Sequence, residues 1–258
     1  MPIHPTAIVD PLARIDETAT VGPFCVLGAE VEIGPGTELK AHVYIEGPTW
    51  IGEENIVYPY ASIGVASQDL KYKGERAETR IGARNKIREF VTIHRGTEGG
   101  GLKTNIGDDN LLMAYTHVAH DVQLGSHCVL ANGVTLAGHV AIGDWAVIGA
   151  FTGVHQFCRI GRHSMIGGYS VITQDVMPFA TIVTPRESKS FGANATGLER
   201  RGFDAGIIEN LQNALRLLTR GKLNTSQAIE KIRNEIPACA EVEELIDFIQ
   251  TSERGVIK

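Results

Sequence analysis

The 258-residue sequence is poor in aromatic residues and cysteine, carries no excess of basic charge, and has no long hydrophobic run. Its four cysteines form no C-x-x-C pair, which argues against a disulfide framework or thiolate metal site and favours a reducing cytoplasm: Cys25, Cys128, Cys158 and Cys239. A net charge of −6 argues against a nucleic-acid partner. No apolar stretch reaches the roughly 18 residues of a transmembrane segment, and the N-terminus does not resemble a signal peptide. We therefore expect a globular cytoplasmic protein.

Aliphatic residues recur at every sixth position over residues 3–63, then over 81–93 and 106–172. Glycine often follows the aliphatic residue. A small residue often stands four positions after it, and three of the cysteines occupy such positions. This hexapeptide repeat predicts a parallel β-solenoid in which each hexad forms one short strand and one corner, with the aliphatic side chain pointing inward.

Two polar, glycine-bearing segments interrupt the period at residues 65–80 and 96–105. They are predicted to be loops that leave the solenoid and carry added function. The solenoid domain, residues 1–189, is thus an all-β unit with two inserted loops.

The composition changes from about residue 190, and residues 190–258 are predicted to form an α-helical domain. Gly221 is placed to end the first predicted helix, residues 204–220. The tail is also expected to cap the open end of the solenoid sheets. Helical spacing of apolar residues is evident in three segments: 204–220, 224–236 and 240–252.

If one coil holds eighteen residues, residues eighteen apart lie above one another at the strand spacing of about 4.8 Å. His120 then lies beneath position 138, next to His139, and beneath position 156, next to His155. The second interruption adds seven residues to one coil, so His94 is expected to lie directly beneath position 119 of the next coil. Four histidines thus share one column, with His117 just before it. Because imidazole exchanges protons near neutral pH, the cluster indicates a general-base site. Solvation of the face and zinc binding are the alternatives.

Longer motifs resemble the UDP-N-acetylglucosamine O-acyltransferases that begin lipid A synthesis, a family of hexapeptide acyltransferases. The segments are IREFVTIHRGT, NLLMAYTHVAHD, LANGVTLAGHVAIGD, VHQFCRIG and GLERRGF, and the similarity covers essentially the whole chain. The resemblance implies a left-handed β-helix with three hexads per coil, whereas the general rule for parallel crossovers favours a right-handed turn. It also implies a homotrimer with active sites between adjacent β-helices.

The implied reaction transfers an (R)-3-hydroxyacyl group from acyl carrier protein to the 3-hydroxyl of UDP-N-acetylglucosamine. It uses no metal and no cofactor beyond the phosphopantetheine of the carrier. By this resemblance His120 is the general base, Asp121 orients it, and the backbone N–H of Gly138 binds the oxyanion. Gly168 matches the position that limits acyl chain length, and a glycine there predicts a longer chain.

The resemblance also implies a set of substrate-binding residues. Asp69 and Lys71 would contact the glucosamine and His94 would approach the phosphates. Asn194 and Arg200 would bind the uridine diphosphate, although Thr196 stands where the family often has Glu. The remaining residues would line the cleft: His117, His139, His155 and Gln156. A basic patch is expected to dock the acidic carrier protein, and its members are Arg159, Arg162, Arg186, Lys189, Arg200 and Arg201.

Three alternatives stay open at this point. One is a metal-dependent β-helix enzyme similar to γ-class carbonic anhydrase, and another is a solenoid with a structural or binding role and no chemistry. The third is a related acyltransferase that acts on a 2-amino group. That enzyme would normally carry an additional N-terminal uridine-binding domain, whereas this chain starts directly with hexads. The sequence does not decide between a 3-hydroxyl and a 3-amino acceptor.

Overall fold

The computed structural model describes residues 3–183, 189–220 and 223–257 of the chain. Most of them form a left-handed parallel β-helix with three flat faces, and a group of helices follows it. Within these residues, no helix combines the length and the apolar character needed to cross a bilayer.

Each face is a sheet built from one short strand per coil. Face 1 contains β1 (Ile8–Val9), β4 (Val26–Leu27), β7 (Tyr44–Ile45), β10 (Ser62–Val65), β13 (Thr92–His94), β16 (His117–Val118), β19 (Thr135–Leu136), β22 (Gly153–Val154) and β25 (Val171–Ile172). Face 2 contains β2 (Arg14–Ile15), β5 (Val31–Ile33), β8 (Thr49–Ile51), β11 (Glu78–Ile81), β14 (Lys103–Ile106), β17 (Gln123–Leu124), β20 (Ala141–Ile142) and β23 (Arg159–Ile160). Face 3 contains β3 (Thr20–Val21), β6 (Glu38–Leu39), β9 (Ile56–Val57), β12 (Lys86–Ile87), β15 (Leu111–Leu112), β18 (Val129–Leu130), β21 (Val147–Ile148), β24 (Met165–Ile166), β26 (Ala180–Val183) and β27 (Lys189–Ala193).

The second residue of a typical strand is the hexad aliphatic, and it points into the prism. Leu112, Leu130 and Ile148 are fully buried and stack on one another along face 3. This stacking removes apolar surface from water in every coil and confirms the predicted repeat. In the first coil Val9 and Ile15 are only partly buried, because no coil lies below them.

The corners carry non-glycine residues in the left-handed backbone region. Tyr115, Asp121 and His127 have φ values of 65°, 61° and 58°. Aromatic side chains at these corners stack on the same corner of the neighbouring coil, as Phe90 and Tyr115 do at a ring-centroid distance of 4.9 Å and His127 and Trp145 do at 4.0 Å. Corner side chains therefore form columns with the spacing of the strands.

The two excursions from the coil are shorter than predicted. Residues 66–77 form the first, and residues 95–102 form the second, which contains a short 3-10 helix at Glu98–Gly100. The ends assigned to the loops pair as strands instead. Thr79 pairs with Thr49 and Thr104, and Arg80 pairs with Trp50 and Asn105.

Three predicted helices are confirmed within one or two residues as α2 (Ala205–Arg220), α3 (Thr225–Glu235) and α4 (Ala240–Gln250). Strand β27 and the six-residue α1 (Ala195–Arg200) were not predicted, so the region after residue 190 is not wholly helical. Strand β27 forms because it pairs antiparallel with β26. Gly221 lies outside the described residues. The chain end returns to the solenoid, where Val256 bridges Asp175 and Ile257 joins the core.

Candidate active site

The register of face 1 brings the predicted histidines together. Ile93 pairs with Val118, Val118 pairs with Leu136, and Leu136 pairs with Val154 one coil further. The residues that follow these positions form three neighbouring columns at the corner between faces 1 and 2. The columns are His94, Ala119, Ala137 and His155; then His120, Gly138 and Gln156; then Asp121, His139 and Phe157. The eighteen-residue coil is confirmed at this corner, but the four histidines occupy three neighbouring columns and not the single column predicted.

His120 is held by a buried carboxylate. Its Nδ1 lies 2.8 Å from Oδ2 of Asp121, whose side chain is 1% exposed. Because a carboxylate only accepts hydrogen bonds, Nδ1 of His120 carries the proton. The lone pair of a neutral His120 ring is therefore on Nε2, the nitrogen that can accept a proton.

Gly138 lies against the other side of the His120 ring. A Cβ atom at position 138 would overlap that ring and come within 2.6 Å of its Nε2. The backbone N–H of Gly138 makes no hydrogen bond within the described part of the chain. The site thus combines a basic nitrogen with a free backbone donor on the adjacent coil.

Three further imidazoles surround His120, and burial lowers the pKa of each. Burial, with the neighbouring His117 and His120 rings, lowers the pKa of His94 to about 4. Burial and His120 lower the pKa of His117, whose Nδ1 lies 2.7 Å from Oγ1 of Thr92. Burial also lowers the pKa of His139, although nearby Asp121 opposes this shift. At neutral pH these rings are uncharged, so a contact of His94 with phosphate would be a hydrogen bond and not an ion pair.

Both excursions meet beside these columns. The first contributes Asp69 and Lys71, and the second contributes Thr97, to a cleft of about 980 Å³ that His139 and Phe157 also line. Phe157 stacks on His139 with ring centroids 4.4 Å apart. The predicted glucosamine-binding residues therefore lie next to the histidine columns.

Other predicted site residues lie elsewhere on the prism. Asn194 is the N-cap of α1, and its side-chain amide donates to the carbonyl of His163 at the corner between faces 2 and 3. Arg200 and Thr196 are exposed on the same short helix. Gly168 is exposed at the corner between faces 3 and 1, above Ala150. None of these four is at the corner that carries His120.

The predicted basic patch is wrong for two of its six members. Arg159 pairs with buried Asp175 at 2.8 Å, and Arg162 pairs with Glu244 of α4, so acidic partners compensate both charges. Arg201 lies over the Trp145 ring and donates to its carbonyl. Arg186 and the side chain of Lys189 lie outside the described residues.

Sequence reasoning missed several residues near the site. The N–H and the hydroxyl of Thr97 both donate to Asp121, and Thr104 Oγ1 accepts from the Asp121 N–H. Arg254 donates to the carbonyl of Gln156 at 2.9 Å. The position of Thr97 inside an interruption was a signal, whereas nothing in the sequence connects Arg254 with residue 156.

His120, Asp121 and His139 offer possible metal-ligand atoms within 4.8 Å of one another. The two oxygens of Asp121, however, already accept three hydrogen bonds, one from His120 and two from Thr97. In this arrangement the carboxylate is committed to positioning its neighbours.

The coiled fold and the histidine corner define a hexapeptide-repeat transferase. Residues 103–138 match the bacterial transferase hexapeptide family (six repeats), and residues 175–257 match the family described as UDP N-acetylglucosamine O-acyltransferase, domain 2. The chain is 46% identical over 256 residues to the acyl-[acyl-carrier-protein]--UDP-N-acetylglucosamine O-acyltransferase of Thermodesulfovibrio yellowstonii, with 99% of each chain covered.

Solved structures agree with this assignment. LpxA from Acinetobacter baumannii is similar with a TM-score of 0.96 at 44% identity, covering 100% of both chains. The UDP-N-acetylglucosamine acyltransferase of Arabidopsis has a TM-score of 0.84 at 33% identity, covering 99% of this chain and 100% of its own. The chain belongs to the UDP-N-acetylglucosamine O-acyltransferase family and is an acyltransferase.

Proposed function

We propose that this enzyme transfers an (R)-3-hydroxyacyl group from acyl carrier protein to the 3-hydroxyl of UDP-N-acetylglucosamine, the first step of lipid A biosynthesis. His120 is the general base. The observation that carries this role is the pair of contacts at its ring: buried Asp121 binds Nδ1, and Gly138 packs against Cε1 and Nε2. Membership of the family supports the substrates.

In the proposed step, Nε2 of His120 takes the proton of the sugar 3-hydroxyl as its oxygen attacks the thioester carbonyl carbon. The carbonyl oxygen becomes an oxyanion, and the N–H of Gly138 donates to it. The intermediate then collapses, the carbon–sulfur bond breaks, and the departing phosphopantetheine thiolate receives the proton from His120. The carrier brings the acyl group, so the reaction needs no further cofactor.

Asp69, Lys71, His117, His139, His155 and Gln156 are proposed to bind the sugar and the thioester arm. The uncharged rings of His117 and His139 suit hydrogen bonding to sugar hydroxyls. His94 lies deeper, with 4% of its surface exposed, and is proposed to reach the phosphates as a neutral hydrogen-bonding group.

We propose that the enzyme is a cytoplasmic homotrimer with its active sites in clefts between copies. An apolar column supports the assembly, because face 3 presents partly exposed Leu111, Val129, Val147 and Met165 one above another. The adjoining corner adds Tyr115, Phe151 and Tyr169, each more than half exposed in the single chain. Asn194 and Arg200 are proposed to bind uridine diphosphate in the cleft that contains the His120 of a neighbouring copy.

Gly168 is proposed to leave room for a longer 3-hydroxyacyl chain, because it has no side chain to close the cleft. In competition, a fourteen-carbon donor is expected to be used in preference to a ten-carbon donor, and Gly168→Met is expected to reverse this order. A clear preference of the wild-type enzyme for the ten-carbon donor would contradict the proposal.

The proposed function is tested by mass spectrometry of the product formed from UDP-N-acetylglucosamine and a ladder of 3-hydroxyacyl carrier-protein donors. An O-linked 3-hydroxyacyl product is expected from the wild-type enzyme but not from folded His120→Ala, and a 3-amino acceptor run in parallel should give less product. Full activity of His120→Ala would contradict the general base. Stoichiometric zinc, with activity lost to chelators, would support the metal-dependent alternative.

A further inference from the structure

The second excursion closes over the carboxylate of Asp121. The N–H of Thr97 donates to Oδ1 at 2.8 Å, and the Thr97 hydroxyl donates to Oδ2 at 2.5 Å. Gly100, in the same excursion, lies so close to Asp121 that a Cβ atom there would overlap the carboxyl group. The carboxylate is thus enclosed by residues that a regular coil does not contain.

The length of the excursion explains how Thr97 reaches this place. The sequence separation between Ile81 and its partner Ile106 is seven residues longer than the eighteen residues that separate Ile106 from its partner Leu124. The extra residues bend back on themselves, since the N–H groups of Gly100 and Leu102 both donate to the carbonyl of Thr97. Thr97 is therefore fixed by its own turn and by Asp121 together.

We propose that Thr97 is a positioning residue for the acyl transfer, an inference that rests on the proposed function. Its two donors hold the Asp121 carboxylate at one angle and keep it an acceptor for Nδ1 of His120. Nε2 then faces Gly138, where the acceptor hydroxyl is deprotonated. Thr97 touches neither substrate in this account and acts through Asp121 and His120.

Other titratable and charged groups face this pair and set the background for its pH dependence. His139 Nδ1 lies 3.8 Å from the same Oδ2 of Asp121. His94 and His117 interact electrostatically with His120. Asp69, Lys71 and Glu98 line the adjoining cleft. Removing the Thr97 hydroxyl changes none of these side chains, so a change in the pH profile would report on Asp121 and His120.

The kinetic test compares Thr97→Val, which removes the hydroxyl donor but keeps the N–H, with Thr97→Ser, which keeps both. A carboxylate that loses a donor is a more basic acceptor and stabilises the imidazolium form of His120. The acid limb of the kcat/KM profile in Thr97→Val is therefore expected to move to higher pH. Its kcat is expected to fall by about tenfold or more, with KM for UDP-N-acetylglucosamine within about twofold of wild type.

Thr97→Ser is expected to restore both kcat and the acid limb. The matched control is Thr152→Val, which removes a buried threonine hydroxyl that donates to the carbonyl of Gly167, away from the site. It is expected to keep the wild-type profile. The inference is overturned if Thr97→Val keeps the wild-type kcat and acid limb, or if Thr152→Val changes both as strongly.

A second measurement does not depend on activity. Proton NMR of the intact protein should show a far-downfield resonance from the Nδ1–H of His120, assigned by its loss in His120→Ala. The resonance is expected in wild type and Thr97→Ser and should be shifted or lost in folded Thr97→Val. An unchanged resonance in Thr97→Val overturns the inference. If the wild-type protein transfers no acyl group, the proposed function fails and this spectrum alone decides the role of Thr97.

Discussion

Gly138 lies one coil above His120, and its role follows from the space between them. Its φ is not among the left-handed values found at the corners, so the backbone conformation does not require glycine. The ring of His120 occupies the volume that a Cβ atom would need. Position 138 is thus glycine because the His120 ring packs directly on the backbone that carries the proposed oxyanion donor.

Gly138→Ala keeps the backbone N–H but is expected to displace the His120 ring and lower kcat by about a hundredfold, since misplacing a catalytic group by about 1 Å can have an effect of this size. Gly153→Ala is the matched control, because a Cβ atom there meets nothing within 4 Å. The measurement is kcat for both variants, with folding checked by circular dichroism. Equal activities of the two variants would contradict the packing argument.

The buried side chain of His163 makes the stability of the fold depend on pH. Its ring is 4% exposed and stacks between Trp145 and Phe179 at centroid distances of 6.0 and 5.8 Å. Burial, with the nearby charges of Arg162 and Arg201, lowers its pKa to about 4. In the unfolded chain a histidine titrates near pH 6.5, so the unfolded state binds the proton first as the pH falls.

The stability that neutral His163 provides is therefore complete above about pH 6.5 and is lost as the pH falls toward 4. Between pH 7 and pH 5 this residue should lower the free energy of unfolding by about 2 kcal/mol. His163→Phe, which keeps a ring in the stack, is expected to weaken the pH dependence of urea unfolding by about that amount. His42→Phe, at an exposed stacked histidine, should keep the wild-type dependence. If both variants keep it, this account of His163 is wrong.

At the scale of the coil, the corner between faces 2 and 3 contains a buried ladder of asparagines. The Oδ1 of Asn55 accepts the N–H of Asn85, the Oδ1 of Asn85 accepts the N–H of Asn110, and the Oδ1 of Asn110 accepts the N–H of Cys128. Each side-chain amide also donates to a glycine carbonyl of the next coil. The ladder satisfies backbone groups across the levels at which both excursions leave the coil.

Asn85→Ala leaves the N–H of Asn110 and the carbonyl of Gly107, both on the following coil, without their hydrogen bonds to the Asn85 side chain. The Oδ1 of Asn55 on the preceding coil still accepts the backbone N–H of residue 85. The expected loss in the free energy of unfolding is about 2–4 kcal/mol, since each unsatisfied buried group costs about 1–3 kcal/mol. Asn105→Ala removes an amide that bonds Gln123 near the surface and should cost less than about 1 kcal/mol. Urea unfolding measures both, and equal losses would show that the ladder contributes no particular stability.

The coils and the excursions also show which parts of the fold and of the candidate site could be predicted from the sequence. Because one coil holds eighteen residues, simple spacing predicts that Gly138 lies above His120. With the seven inserted residues added, it also predicts that Ala119 lies above His94. Spacing could not predict that Thr97 contacts Asp121, since the path of an excursion depends on its own turn and on the groups it meets. It also gave no sign of β27, which forms because β26 offers a free edge, or of Asp175 and Glu244, which engage two arginines of the predicted patch.

For the whole molecule, the three faces differ in chemistry. Face 2 presents charged residues in ion pairs, such as Arg14 with Glu32 and Arg80 with Glu78. Face 3 presents the apolar column of Leu111, Val129, Val147 and Met165. Since an exposed apolar column next to aromatic corners favours association, face 3 is the surface expected to lie inside the trimer. The proposed trimer also accounts for the distribution of the proposed site residues over two corners, because in that arrangement each cleft takes residues from two copies.

Mixing two inactive variants tests this account most directly. His120→Ala removes the proposed base and Arg200→Ala removes a residue proposed to bind uridine diphosphate, so trimers of either variant alone should have little activity. If each cleft takes His120 from one copy and Arg200 from the next, about a quarter of all clefts are intact in random mixed trimers formed by co-expression. The measurement is acyl transfer by the mixture at saturating substrate, relative to wild type. Recovery to about a quarter of wild-type activity is predicted. Activity no higher than the average of the two separate variants would contradict a shared cleft built around His120.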